Sequence, residues 1–307
     1  MDIAKLIKLE PGHYVVAVSG GVDSMVLMNL LAGFHLDKDK PVRFTVAHFD
    51  HGIRDHSHLD RILVHEESVR LGLPYVYAEA NLGAGASEDE ARQARYDFLR
   101  QVQSYSGARA IITAHHYDDF VETALLNLVR GTGRKGMSSL KSRHDVIRPF
   151  IHVPKDNLRV YAQANGLVWH EDSTNTDQKY RRNYIRHSVI KKAKAKSPNE
   201  YHQLLKLLRR QRELNHAIDS SLEVLLHTQP SRYTLRRKDV IGLPYRVATE
   251  FVAQWLRQNG KRDFNKWLVD RVTVGLRTAQ PNTEFLVDSS SKISFGRQKA
   301  EFVRILR

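Results

Sequence analysis

A short polar segment separates two apolar runs near the start of the chain. It reads SGGVDS, follows VVAV, precedes MVLMNLL, and consists of Ser19, Gly20, Gly21, Val22, Asp23 and Ser24. Two glycines allow a sharp turn and a close approach of the backbone to a ligand. The free N–H groups and the dipole at the start of the following helix favour an anion, and the serine hydroxyls add donors. We therefore predict a phosphate-binding loop.

This loop differs from the Walker loop of kinases and ATPases, because no lysine follows its glycines. Asp23 needs an explanation, since a carboxylate repels a phosphate. Either it caps the helix, or a divalent cation bridges it to the phosphate. An ordinary strand–turn–helix connection is the structural alternative, and the complete six-residue pattern argues against it.

Two more polar clusters follow apolar runs that are typical of strands. One is VAHFDHGIR (46–54), which includes His48, and the other is TAHHYDDFVET (113–123), which includes Asp118, Asp119 and Glu122. Asp118 and Glu122 are four residues apart, so they share a helix face. Such carboxylates bind an ammonium group or Mg²⁺, or complement the helix dipole. Similar spacings occur in metal-dependent phosphoesterases, which would leave the SGGVDS loop unexplained.

A third cluster is ARQARYDFL (91–99), in which Arg92 and Arg95 fall on neighbouring turns of a predicted helix. Guanidinium groups bind phosphates well, although such a pair is also consistent with an ordinary solvent-exposed face of the helix. Because this helix follows a strand at the edge of the predicted site, we favour a role in nucleotide chemistry.

The elements that would position these groups alternate between strand and helix. Strands are predicted at 14–19, 42–48, 74–80 and 108–115, and helices at 24–32, 57–71, 87–103 and 118–129. Continuous apolar strands that alternate with helices indicate an α/β fold with a parallel sheet covered on both faces. Ligands of such sheets bind at the carboxyl ends of the strands, where these clusters lie.

The second half of the chain differs in pattern and charge. Helices are predicted near 153–166, 199–226, 244–258 and 263–278, with a charged linker at 191–200 and a terminal hairpin. Residues 181–307 carry 27 Lys and Arg against 11 Asp and Glu, whereas residues 1–180 carry 21 against 23. This excess predicts a polyanionic partner, with simple solubility as the alternative. Neutralising the pairs Arg209/Arg210 or Arg236/Arg237 should weaken that partner's binding and barely change stability.

Composition narrows the class of protein. The 307 residues include no cysteine, which excludes disulfides and cysteine-ligated zinc or iron–sulfur sites in this chain. No apolar run approaches the ~20 residues of a transmembrane helix, and the N-terminus is too polar for a signal peptide. We expect a cytoplasmic enzyme without a membrane partner, and a homodimer is one possible assembly.

Together, these motifs resemble those of tRNA(Ile)-lysidine synthetase, a family in the N-type ATP pyrophosphatase superfamily. SGGVDS is similar to the superfamily's pyrophosphate loop. The family's own motifs are matched in order over about residues 13–190 by HHYDDFVET, RGTG, IRPF, WHEDSTN and RRNYIR. The resemblance implies an N-type ATP pyrophosphatase catalytic domain at 1–192 and a mainly helical tRNA-binding domain at 193–307.

The resemblance also implies a reaction that uses ATP and Mg²⁺. ATP would adenylate the C2 oxygen of the wobble cytidine in isoleucine tRNA with the anticodon CAU, and the loop would hold the leaving pyrophosphate. Free L-lysine would then displace AMP through its ε-amine and form lysidine. The modified tRNA would read AUA instead of AUG and accept isoleucine instead of methionine.

Roles can be assigned to the clustered residues on this basis. ATP binding is assigned to Ser19, Gly20, Gly21, Val22, Asp23, Ser24 and His48. Catalysis is assigned to Asp23, Arg92, Arg95, Asp118, Asp119 and Glu122. The three carboxylates of the second cluster would bind either the lysine ammonium or Mg²⁺, with Mg²⁺ at Asp118 and Asp119. Contacts with tRNA are assigned to Arg130, Arg134, Lys135, Arg181, Arg182 and Arg186, the last three of which could instead tie the domains together. Asp172, Ser173 and Asn175 receive no role.

Another tRNA-modifying enzyme of the same superfamily is the nearest alternative. Thiolases of this kind rely on cysteines or an iron–sulfur cluster, and glutamine-dependent amidating relatives need a glutaminase. Neither is visible in this sequence. An inactive RNA-binding protein is disfavoured, because the phosphate loop is intact.

Overall fold

The computed structural model describes residues 2–35, 41–52, 57–80, 82–83, 85–138, 140, 142–171, 181–261 and 264–305. By its internal contacts the chain divides into two compact units, Met1–Arg212 and Glu213–Arg307. Across the described ranges, no helix is both long enough and apolar enough to cross a membrane.

The first unit is built on a five-stranded sheet. Its strands are β1 (Gly12–Ala17), β2 (Val42–Asp50), β3 (Tyr75–Glu79), β4 (Ala110–Thr113) and β5 (Val146–Ile147). The order is β3-β2-β1-β4-β5, and all neighbours are parallel, which confirms the predicted fold class. The strand order reverses between β1 and β4, so a ligand crevice is expected at their carboxyl ends.

In the described part of the first unit, six α-helices accompany this sheet. They are α1 (Val22–His35), α2 (Ser57–Arg70), α3 (Glu88–Tyr105), α4 (Tyr117–Val129), α5 (Arg134–Met137) and α6 (Lys155–Ala164). Ser87 and Glu90 form a capping box at the start of α3. Helix α1 is largely apolar and packs in the main core, where Val26, Leu27 and Leu31 are fully buried.

A basic helical segment completes the first unit. It consists of α7 (Arg181–Tyr184), a π-helical stretch (Ile185–Ile190), α8 (Lys191–Lys196) and the first part of α9 (Pro198–His227). Ile185, Ile190 and Leu208 are buried in one cluster with Tyr117 and Phe120 of α4. The prediction of a linker at 191–200 is wrong, because apolar anchors on both sides hold this lysine-rich stretch in a helix. The first unit therefore continues to Arg212, beyond the domain boundary predicted at residue 192.

The second unit combines helices with a small antiparallel sheet. It holds the rest of α9, then α10 (Arg237–Ile241), α11 (Tyr245–Gln258) and α12 (Lys266–Thr278). The strands β6 (Thr234–Arg236), β7 (Thr283–Asp288), β8 (Ser291–Phe295) and β9 (Lys299–Arg304) pair in the order β6-β9-β8-β7. This region is mostly helical, as predicted. The terminal hairpin is part of a larger sheet, because β6 pairs with the distant β9.

Most of the excess positive charge lies on the first unit. Residues 181–212 hold 11 Lys and Arg against one Glu, whereas residues 213–307 hold 16 against 10. The charge that the sequence places in its second half is therefore concentrated on the segment that packs against α4.

Arg237 has a structural role in the second unit. Its buried guanidinium donates hydrogen bonds to the carbonyls of Leu276, Ala279 and Gly296 at 2.8, 2.8 and 2.9 Å. The expectation that neutralising Arg236 and Arg237 barely alters stability is therefore wrong for Arg237. Loss of this side chain would leave several carbonyls without a donor.

Candidate active site

The phosphate loop connects β1 to α1 and is held by its own hydrogen bonds. Ser24 Oγ accepts a hydrogen bond from Ser19 N at 3.1 Å and donates one to the carbonyl of Gly21 at 2.9 Å. Gly20 has φ +87°, and a Cβ at this position would lie 3.1 Å from Cβ of Asp60. Both the backbone conformation and the close neighbour therefore require glycine.

Residues distant in sequence brace this loop. The backbone N–H of His170 donates to the Gly20 carbonyl at 3.1 Å. The imidazole Nδ1 of His170 lies 2.7 Å from Oδ1 of the buried Asp60. The loop is thus fixed from α2 and from the segment after α6, which indicates a preorganised ligand site.

A cavity of about 480 Å³ opens at the carboxyl ends of β1, β2 and β4, a size suited to a nucleotide. Many of the predicted site residues line it: Ser19, Gly21, Asp23, Ser24, His48, Arg92, Arg95, Asp119, Arg182 and Arg186. Gly20 and Val22 do not line it, and both are buried. The topology thus brings the separate polar clusters together.

His48 presents a buried hydrogen-bond acceptor in this cavity. Its Nδ1 donates to the carbonyl of Val18 at 2.9 Å, so Nε2 carries no proton in the neutral ring. Nε2 is buried without a hydrogen-bond partner. Burial lowers the pKa of His48, which keeps the ring neutral at pH 7. An N–H group of a ligand would complete its hydrogen bonding.

Asp23 lies in a cluster of charged groups at the start of α1. Its Oδ2 is 3.4 Å from Nε2 of His116 and 3.6 Å from Nζ of Lys155. His116 Nε2 is also 3.5 Å from Oδ2 of Asp119. Burial alone would lower the pKa of His116, but the carboxylates of Asp119 and Asp23 outweigh it and raise that pKa. The ammonium of Lys155 places positive charge beside the phosphate loop, and the raised pKa of His116 favours its protonated form there.

Two arginines of the RRNYIR motif bind the carboxylates of α4. Arg186 donates from Nε to Oε1 of Glu122 at 2.6 Å and from Nη2 to Oε2 at 2.9 Å. Arg182 donates from Nε to Glu122 Oε2 and from Nη2 to Asp119 Oδ1, both at 3.0 Å. Burial would raise the pKa of Asp119, but His116 and Arg182 hold it well below the usual range. Glu122 is buried and does not line the cavity.

Asp118 also lies outside the cavity lining, and it binds an ammonium group of the chain itself. Its Oδ1 accepts from Nζ of Lys194 at 3.1 Å, and its Oδ2 accepts from the backbone N–H of Lys155 at 2.9 Å. These two donors outweigh burial and lower the pKa of Asp118. The ammonium of Lys194 also lies 5.6 Å from the ring centroid of Tyr201.

The remaining predicted residues are placed elsewhere. Arg130 is exposed at the C-terminal end of α4, and Arg134 and Lys135 lie on α5 and do not line the cavity. Arg181 begins α7, but its side chain lies outside the described residues. Asp172, Ser173 and Asn175 also lie outside them.

Sequence reasoning missed several residues that the structure brings to the site. His116 stands inside the quoted motif HHYDDFVET, yet only its carboxylates received roles. Lys155 and His170 lie far along the chain, and the only local signal is the proline that precedes Lys155 at the start of a helix. Tyr96 lies between arginines: its ring centroid is 4.9 Å from the guanidinium carbon of Arg92 and 5.8 Å from that of Arg95.

The carboxylate that best fits a magnesium ion is Asp23. Among the described residues, no group of three or more His, Asp and Glu side chains is placed to hold a metal by itself. Nucleotide-bound Mg²⁺ needs only one or two carboxylates, since phosphates and water supply its other ligands. Asp23 Oδ1 is buried without a hydrogen-bond partner, whereas both oxygens of Asp118 and of Asp119 contact donors.

The sequence matches the model of a known protein family, the PP-loop domain, over residues 2–193. It is 37% identical over 198 residues to the tRNA(Ile)-lysidine synthase of Thermotoga sp. (strain RQ2), which covers 62% of this chain and 47% of that protein. The tRNA(Ile)-lysidine synthase of Thermosipho africanus is 30% identical over 296 residues, which cover 94% of this chain and 67% of that protein. The chain belongs to the tRNA(Ile)-lysidine synthase family.

A third family member, from Thermus thermophilus, is 32% identical over 268 residues, 84% of this chain and 51% of that one. The chain thus spans about half the length of the Thermotoga and Thermus members. Among solved structures, the U34-tRNA thiolase NcsA from Methanococcus maripaludis matches with a TM-score of 0.56 over 69% of this chain and 77% of that one. At 14% identity this likeness shows the shared fold alone.

Proposed function

We propose that this member of the lysidine synthase family ligates L-lysine to C2 of the wobble cytidine in CAU-anticodon isoleucine tRNA. ATP would first adenylate the C2 oxygen and release pyrophosphate, and lysine would then displace AMP. The observation that carries the proposal is the meeting of a preformed phosphate loop and the carboxylate-bearing helix α4 at one cavity. We place this activity in the cytoplasm, where tRNA, ATP and lysine are all available.

In the first step, the loop and its neighbours would stabilise the leaving pyrophosphate. Negative charge grows on the phosphate oxygens as the α–β bond breaks, so preorganised donors and positive groups lower the barrier. Ser19, Ser24 and the first turn of α1 supply donors, and His116 and Lys155 lie within 3.6 Å of Asp23. Asp23 would hold Mg²⁺, which supplies further positive charge to the phosphates when bound.

The arginines of α3 would act on the nucleotide from the other wall of the cavity. Arg92 and Arg95 both line it, and both lie over the ring of Tyr96, which limits their freedom. A guanidinium ordered in this way contacts a phosphate with less loss of entropy. His48 would accept a hydrogen bond from the ligand through its buried Nε2.

In the second step, the lysine ε-amine must lose a proton before it can attack. Its ordinary pKa of about 10.4 leaves roughly one molecule in a few thousand neutral at pH 7. Asp119 is the carboxylate of α4 that lines the cavity, so we assign ammonium binding to it. Glu122 is assigned to positioning, because its oxygens are bound by Arg182 and Arg186. The contact of Asp118 with Lys194 supports this assignment, since an ammonium group of the chain itself already lies at this end of α4.

Contacts with tRNA belong to the same proposal. Catalysis is assigned to residues 1–192 and most tRNA binding to residues 193–307. Additional contacts come from Arg130, Arg134, Lys135 and Arg181. For Arg182 and Arg186 the ion pairs with Glu122 and Asp119 make the positioning of α4 the main role, with any tRNA contact secondary.

The test is a single reaction with the full chain. Purified tRNA, ATP and isotope-labelled lysine are incubated with the protein, and the tRNA nucleosides are then analysed by mass. We expect labelled lysidine together with AMP and pyrophosphate. Asp23→Asn should slow adenylation at least about a hundredfold, whereas Asp156→Asn, at an exposed site on α6, serves as the matched control. Formation of ADP and phosphate, or an unlabelled tRNA, would refute the proposal.

A further inference from the structure

A second cavity, of about 320 Å³, adjoins the first within the same unit. The two share Arg92 and Arg182 as lining residues. The charged side chains that line the second are five arginines and one aspartate: Arg92, Arg130, Arg143, Arg148, Arg182 and Asp89. Guanidinium groups that converge on one recess raise its positive potential and attract an anion. Arg92, Arg130 and Arg182 already have assigned roles, but Arg148 and the recess as a whole have none.

Arg148 is the buried member of this group. It belongs to the IRPF motif after β5, and its relative exposure is 6%. Its backbone N–H donates to Ser142 Oγ at 2.8 Å, and its Nη2 donates to the hydroxyl of Tyr96 at 3.4 Å. Burial lowers the pKa of Arg148; Tyr96 opposes this effect in part, and the nearby charges of Arg92 and Arg143 add to it. An anion in the cavity would offset both the burial and the repulsion.

Tyr96 connects the arginines of the two cavities. Its ring lies against Arg92, which lines both, and Arg95, which lines the first. Its hydroxyl accepts from Arg148, which lines the second. One aromatic side chain thus orders three guanidinium groups, so a ligand that occupies both cavities would meet a prearranged set of donors.

We propose that the second cavity binds a backbone phosphate of the RNA strand, next to the nucleotide held in the first cavity. This rests on the proposed function. Four of the six phosphate-loop residues line the first cavity and none lines the second, so the ATP phosphates have their own place. Arg130 and Arg143 are exposed, so the second cavity reaches the surface, as a continuous strand requires. A planar guanidinium matches two phosphate oxygens at once.

The test compares RNA binding by the full chain and by Arg148→Gln. The probe is an RNA stem–loop with the anticodon CAU, measured without ATP at several salt concentrations. Loss of one charged hydrogen-bonding contact should weaken binding roughly ten- to hundredfold. The log–log salt slope should become shallower by about 0.7 to 0.9. The affinity for a non-hydrolysable ATP analogue should fall by much less, because Arg148 does not line the first cavity and reaches Arg92 and Arg95 only through Tyr96.

Arg159→Gln is the matched control. Arg159 is an exposed arginine of α6 in the same unit, pairs with Glu171 at 2.9 Å, and lines neither cavity. The RNA affinity and the salt slope of the Arg159→Gln variant should equal those of the unaltered protein. If Arg148→Gln fails to fold, Arg130→Gln at the exposed rim takes its place, and the same shallower slope is expected.

Neutral methylphosphonates identify the phosphate. When each phosphate of the loop is replaced in turn, one replacement should weaken binding to the unaltered protein and have no effect on Arg148→Gln. The proposal is overturned if the variant binds RNA with unchanged affinity and salt slope, or if it loses the ATP analogue and keeps RNA. Lysidine formation by the unaltered protein is scored separately, so a failure of the cavity and a failure of the proposed function are distinguished.

Discussion

Glu122→Gln separates a structural role of this carboxylate from direct contact with lysine. Glu122 is 1% exposed and accepts three hydrogen bonds from Arg182 and Arg186 at 2.6 to 3.0 Å. Removing one partner of a buried ion pair costs about 3–5 kcal/mol, because the other charge stays buried. Both arginine side chains keep some solvent contact, at 20% and 26% exposure, so we expect about 3 kcal/mol.

This loss of stability should be visible in a thermal melt. For a unit of about 200 residues, each kcal/mol shifts the melting temperature by about 2–4 °C, so a decrease of about 6–12 °C is expected. Circular dichroism of the full chain measures it. Asp118→Asn, on the same helix, is the control. It loses a partly exposed pair with Lys194, which is worth at most about 1 kcal/mol.

A double-mutant cycle then assigns the effect to the pair. Glu122→Gln and Arg186→Gln should be non-additive by at least about 1 kcal/mol, since the side chains are in contact. Lysine transfer should fall in parallel with the loss of folded protein. An unchanged melting temperature with a raised KM for lysine would refute this reasoning and would make Glu122 a direct ligand of lysine.

Three further changes test other contacts. Gly20→Ala should cost about 2–5 kcal/mol through its positive φ and its contact with Asp60 and should abolish ATP binding in calorimetry. Gly33→Ala, which meets no atom within 4 Å, should instead stabilise by up to about 1 kcal/mol. Arg237→Met should cost at least about 2 kcal/mol in urea unfolding, because three carbonyls lose their donor, while Arg236→Met should not. Because the pKa of His116 is raised in the folded state, the contribution of His116 to the free energy of unfolding is complete below about pH 6.5. It is lost as the pH rises through the folded-state pKa. The stability difference from His116→Asn should therefore shrink in alkali, and a difference that is independent of pH would contradict the assigned charge.

Local patterns in the sequence were enough to predict the phosphate loop and the parallel sheet. The loop depends on adjacent residues, since the turn at Gly20 and the hydrogen bonds of Ser24 all close within six positions. The capping box of Ser87 and Glu90 is equally local. The position of the site follows from topology, because the loops after parallel strands meet at one edge of the sheet.

Only the tertiary structure decided which charges meet. Glu122 and Arg186 are 64 residues apart, and Asp118 and Lys194 are 76 apart. The sequence does not indicate which acidic residue pairs with which basic residue. These pairs depend on how the apolar side chains of 185–208 pack on α4. Packing likewise buried Arg237 and Arg148, which look like ordinary surface arginines in the sequence. The sequence by itself therefore predicted the type of ligand and the edge of the sheet where the polar clusters meet. The long-range packing of the cores determined which arginines hold the structure together and which face a ligand.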